Sequence, residues 1–190
     1  HEGRKLTFLI VSSEENLEKL DEIQKQHIAY AKGNLQDQPD IPVIINLAYN
    51  VHGNEPSSSE AAMLAAYTLV SSENSQIKSF RDDAIIFIDP TINPDGRDRH
   101  TQWANTYKGS PLVADPYDAE HNEMWPRGRT NHYWFDLNRD WLLAINPESQ
   151  GKLNWYHKWY PNVVTDFHEM GTQSTYFFEP MKINGSKDPI

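Results

Sequence analysis

Short apolar runs rich in β-branched residues alternate along this chain with longer stretches whose apolar positions recur at helical spacing. The runs at 5–12, 41–50, 84–91, 162–169 and 174–179 have the length and composition of strands. Three stretches read as helices. In 14–32, Leu17, Leu20, Ile23 and Ile28 form one apolar stripe behind a capping box at Ser12–Glu15. The Ala- and Leu-rich stretch 57–72 follows a second capping box, Ser57–Glu60. The third, about 147–160, opens on Asn146, Pro147 and Glu148: a cap, a proline at the first helical position and an acidic first turn. From Arg97 to Phe135 no period is sustained, which predicts a long loop. The alternation predicts an α/β fold.

Candidate chemistry sits where the predicted strands end. His52 and Glu55 lie just past the run Ile41–Asn50, on the turn into the second helix. Gly53 lets that turn be tight, and Pro56 keeps the helix from starting earlier. His168 closes the run from Asn162. If the two strands are parallel neighbours, all three side chains meet at one edge of the sheet, where open α/β sheets bind their ligands. Two imidazoles and a carboxylate form the protein ligand set of a catalytic zinc. The other histidines carry less weight. His100, His121 and His132 read as exposed or locally hydrogen-bonded, and His27 and His157 as surface or boundary residues. Trp103, Trp125 and Trp134 are expected to pack the long loop onto the body.

Composition narrows the partners. The net charge of −10 argues against nucleic acid and anionic membrane surfaces. No apolar run approaches the ~20 residues of a membrane span. The absence of cysteine excludes thiol catalysis, disulfides and cysteine-ligated zinc together.

Further motifs flank the candidate ligands. Glu2-Gly3-Arg4 stands at the start, Asn93-Pro94-Asp95-Gly96 follows the third strand, and Asp136-Leu137-Asn138-Arg139-Asp140-Trp141 lies between the two halves of the metal site. Their order, from Glu2 to about Pro180, resembles the zinc metallocarboxypeptidase family, the carboxypeptidase A-like enzymes. The resemblance implies a three-layer α/β/α sandwich with a mixed, largely parallel central sheet, truncated at the C-terminus, and one Zn²⁺ held by His52, Glu55 and His168. It implies that Asn138 and Arg139 grip the free α-carboxylate of a peptide, for which a guanidinium fork is suited. Met124-Trp125-Pro126-Arg127 resembles the segment whose arginine steadies the oxyanion, which points to Arg127, with Arg129 as the rival.

The implied activity is zinc-dependent hydrolysis of the C-terminal peptide bond of peptides or proteins by an activated water, with no preferred terminal residue indicated. The alternatives are a catalytically inactive zinc-binding relative and a zinc-dependent deacylase of N-acyl amino acids. The family carries its general-base Glu well past the last zinc ligand, so the base is expected beyond Ile190. Glu169 is expected to point away from the site by strand alternation, and Glu179 is not where the family places a base. The helix at 14–32 departs from the short turn usual between the family's first two strands. The chain starts at His1 without Met and ends in a loop-like tail. Residues 1–190 are therefore expected to be the N-terminal part of the catalytic domain, inactive and prone to self-association through an open sheet edge when isolated. A secreted or periplasmic location is expected, although no signal peptide is visible. Oligomeric state is left open.

Overall fold

A computed structural model describes residue 3 and residues 5–171. Four strands form one sheet: β1 (Leu9–Val11), β2 (Val43–Tyr49), β3 (Ala84–Asp89) and β4 (Val163–Phe167), in the order β1-β3-β2-β4. β3 and β4 both run parallel to β2, while β1 pairs antiparallel with β3. The sheet is thus mixed and mostly parallel, as the resemblance implies. Strand β3 is buried along its whole length, which explains its unbroken apolar run. The run at 174–179, together with Glu179, lies outside the described residues, as do Glu2 and Arg4.

Side chains of β2 and β3 alternate between two apolar layers. Tyr49, Ile86 and Ile88 pack with Val11 and with Ala62 of α3 (Pro56–Ser71) on one face. Ile44, Ile85 and Phe87 meet Ile23 of α2 (Leu20–Ala31) and Trp159 of α6 (Pro147–Trp159) on the other. This is the expected α/β/α layering. The predicted helix 14–32 is divided at Lys19 into α1 (Glu14–Glu18) and α2. Its cap falls one residue later than the capping box suggests. Ser13 accepts from the Asn16 N–H, while Ser12 Oγ donates to the carbonyls of Arg81 and Ala84. His27, expected at the surface or its boundary, is buried, its Nε2 lying 2.7 Å from the Tyr160 carbonyl.

Two further helices correct the sequence reading: α4 (Ser75–Asp83) and α5 (Pro94–Tyr107). The second occupies ground expected to be loop. Its sequence has almost no apolar stripe, because it borders the site rather than the core. Its start nevertheless carries a legible signal: Asn93 caps it through the Gly96 N–H, Pro94 holds the first position and Asp95 lies in the first turn. That is the pattern by which Asn146, Pro147 and Glu148 predict α6. The second capping box also shifts: α3 starts at Pro56, with Glu55 as its cap residue and no side-chain cap.

At the C-terminal end of β3, burial, only partly offset by the charge of Lys152, pushes the Asp89 carboxyl up to about 6. A folded-state value above the unfolded one gives stability that is present below the unfolded value and lost as pH rises through the folded one. Asp89→Asn should therefore stabilise the protein at pH 7, on the order of 1–2 kcal/mol. The gap should close near pH ~4, where the parent carboxyl is itself neutral. Thermal denaturation at both values checks this.

Candidate metal centre

His52, Glu55 and His168 converge, with one ligand atom from each lying within 4.8 Å of the others. The register does this. Tyr49 of β2 pairs with Phe167 of β4 in parallel, so both chains leave the sheet at the same edge, with His52 three residues beyond Tyr49 and His168 next to Phe167. The ligand turn is fixed from beneath by Asn50, in the left-handed region at φ 59°. Its amide donates to the carbonyls of His52 (2.8 Å) and Glu55 (3.0 Å), and its carbonyl accepts from Thr91. Gly53 is required here. A Cβ on it would fall 2.1 Å from backbone atoms of Gly96 and Arg97.

The imidazoles are oriented alike. Nδ1 of His52 lies 2.8 Å from Glu55 Oε1, and Nδ1 of His168 lies 3.2 Å from Glu55 Oε2. Each ring's outer nitrogen meets another carboxylate: His52 Nε2 donates to Asp136 at 3.1 Å, and His168 Nε2 to Asp166 at 3.0 Å. Two Nδ1 atoms and one carboxylate gathered in one place, with each Nε2 anchored behind by a carboxylate, suit a small divalent cation. Burial alone would push Glu55 up, but the His52 hydrogen bond, the Glu169 N–H and both imidazoles hold its carboxyl below the usual range. Asp136 behaves likewise: burial is outweighed by Arg129, His52 and the Asn138 N–H.

The long segment before Asp136 folds back onto this turn. Asn93, the first residue of the Asn-Pro-Asp-Gly motif, donates to the carbonyls of Val51 and Arg129, binding the ligand turn to the arginine-bearing loop. Arg99 adds bonds to the carbonyls of Arg127, Thr130 and Asn131. Arg129 is then held beside the ligands. Its Nε donates to Asp136 at 2.9 Å, and one terminal nitrogen lies 3.4 Å from His52 Nδ1 and 4.0 Å from Glu55. Arg127 is exposed, with φ at 59°, and its carbonyl receives the Arg99 bond. Asn138 reaches the cluster, its amide 3.4 Å from His168 Nε2. Arg139 is exposed, and its guanidinium donates to the Asn138 carbonyl.

The chain belongs to the zinc carboxypeptidase family. The family model, peptidase M14, matches residues 1–180. Two solved structures share the fold. One is a candidate carboxypeptidase of Burkholderia mallei, with TM-score 0.54 and 18% identity, covering 88% of this chain and 32% of that one. The other is a candidate carboxypeptidase A of Shewanella denitrificans, with TM-score 0.56 and 20% identity, again covering 88% and 32%. The chain therefore spans about a third of the length of these structures. No curated protein matches it.

Family membership gives the other contacts their setting. Glu169 does not turn toward the metal ligands. Its carboxylate accepts from the Ser57 N–H at 2.5 Å, satisfying the start of α3, and its own N–H donates to Glu55 at 2.9 Å. Asp166 and Glu123 were not singled out by sequence reasoning, and Asp136 appeared there only as part of a motif. Asp166 had one available signal: it stands two residues before His168, on the same side of a strand. His100 is locally bonded, to Glu123. Trp125 and Trp134, expected beneath the loop, instead stack on each other at the surface, 5.3 Å between ring centroids. Replacing His168 with Ala should abolish stoichiometric zinc in elemental analysis. Asp136→Asn should weaken zinc roughly 10–100-fold by releasing the His52 ring. Full zinc content in His168→Ala would remove that residue from the ligand set.

Proposed function

We propose that this chain carries the metal site and carboxylate clamp of a zinc-dependent exopeptidase that hydrolyses the C-terminal bond of peptides or proteins. The observation that carries this is the convergence of His52, Glu55 and His168 with Arg129 and Asn138 alongside. His52, Glu55 and His168 would hold the zinc, which when bound would supply Lewis acidity and an activated water. Asn138 and Arg139 take the substrate's free carboxylate. The exposed Arg139 guanidinium, which donates one N–H to the neutral Asn138 carbonyl, keeps donors for a bidentate contact. Arg129, rather than Arg127, is assigned the oxyanion. It stands at the ligand cluster with its fork oriented by Asp136, and such preset donors are worth most where charge develops. The carboxylates around the ligands already have holding roles: Asp136 on His52, Asp166 on His168 and Glu169 on α3. The proton acceptor is accordingly assigned to none of these three.

Two outcomes test this reading in steady-state assays. Peptides with a free C-terminus should be cleaved and their amidated counterparts spared, and Arg139→Ala should lower kcat/KM on free acids by ~2–4 kcal/mol. Equal cleavage of amidated and free peptides would exclude an exopeptidase. Arg129→Ala should lower kcat by roughly 10²–10³, with Arg127→Ala close to the parent. The reverse ranking would return the oxyanion to Arg127.

A further inference from the structure

A second carboxylate centre lies beside the ligand turn. Glu123 is half-buried, and its two oxygens accept three hydrogen bonds. Oε2 accepts from the Asn54 amide at 2.8 Å, and Oε1 from the Gly128 N–H at 2.7 Å and from His100 Nδ1 at 3.1 Å. These donors come from three separate segments. Asn54 stands between Gly53 and the ligand Glu55, His100 lies in α5, and Gly128 immediately precedes Arg129. Burial would push the Glu123 carboxyl up, but the three donors outweigh it and keep it ionised. The same junction leaves no room for adjustment. A Cβ on Gly128 would fall 2.5 Å from the Gly96 carbonyl oxygen, 2.6 Å from His100 Cβ and 3.2 Å from Asn54 Cβ. One on Gly96 would fall 2.3 Å from the Gly128 carbonyl oxygen.

We propose that Glu123 is a positioning residue that sets Arg129 in register with the zinc-ligand turn. It rests on the assignment of Arg129 above. The carboxylate touches neither ligand nor arginine. It joins the residue before Glu55 to the residue before Arg129, so the two functional side chains hang from one shared anchor. Without it, Gly128 keeps its close packing but loses its hydrogen bond, and Asn54 and His100 lose their acceptor. Misplacement of a catalytic group by about 1 Å costs on the order of 100-fold in rate, so an anchor one residue away from Arg129 bears directly on turnover.

The test uses the zinc-loaded full chain with Glu123→Ala, and with Glu123→Gln as the shape-conserving variant should the first fail to fold. Zinc stoichiometry should stay at the parent level and KM for a free-acid peptide should hold, because Arg139 and Asn138 bind the carboxylate. The value of kcat should fall roughly 10–100-fold. In an Arg129→Ala background, the Glu123 change should have no further effect on kcat; multiplying effects would overturn the proposal. A second readout is independent of peptidase activity. Trypsin cutting after Arg127 and Arg129 should be faster in the variant than in the parent, at equal melting temperature. Unchanged nicking at those bonds would overturn the anchor. Faster nicking in a protein that cleaves no free-acid peptide would leave the anchor standing and sink the exopeptidase reading.

Discussion

The site depends on one register: the parallel pairing of Tyr49 with Phe167 across β2 and β4. Side chains alternate along a strand, so a slip of one residue would turn His168 to the opposite face and separate it from His52 and Glu55. The register is specified by more than the ladder. The Asn162 side chain accepts from the Ile44 N–H at 2.8 Å, its N–H donates to the Ile44 carbonyl, and Thr165 Oγ1 donates to the Asn46 carbonyl. Tyr49 and Phe167 then stack, their rings 4.3 Å apart and nearly parallel, at the end of the pair from which both chains leave for the candidate ligands. Polar pins at one end of the pair and an aromatic stack at the other leave a single alignment.

Above that platform the loops contribute backbone far more than side chains. Ligand turn, Asn-Pro-Asp-Gly turn and arginine loop approach one another through Gly53, Gly96 and Gly128, at separations that no Cβ would tolerate. Asn50 and Asn93, both fully buried, fill the remaining polar needs by donating to carbonyls of the neighbouring segments. Exposed carbonyls would otherwise be orphaned in this interior, so the asparagines replace water as partners. The chemistry is therefore carried on a stack of main-chain segments whose spacing is set by what is absent from three residues.

This division explains what was legible in the amino-acid order. β2 and β3 announce themselves because burial imposes an apolar run, β4 through its β-branched residues, and the candidate ligands at the strand ends because few residue types can hold a metal. His52, Glu55 and His168 were readable for that reason. α5 was not, since a helix bordering a polar site has no need of an apolar stripe; only its Asn93-Pro94-Asp95 start betrays it. Choosing between Arg127 and Arg129 was beyond the sequence because the preference for Arg129 turns on its contacts with Asp136 and His52, which are products of tertiary packing. The roles of Asp136, Asp166 and Glu123 escaped notice because an acidic residue looks the same in sequence whether it orients an imidazole or faces solvent.

The separation of the ligands along the chain has a consequence for assembly. His52 and Glu55 are local to one turn, but His168 joins them across 113 residues from Glu55. An unfolded chain can offer a cation only the local pair, a weak chelate; the third donor exists only once β4 has docked on β2. Affinity for a metal at this cluster would then be a property of the native state, and occupancy would stabilise that state by mass action. A metal held by all three side chains would thus act as a clasp between β4 and β2, and metal content would become a direct measure of how much of a population has completed that pairing.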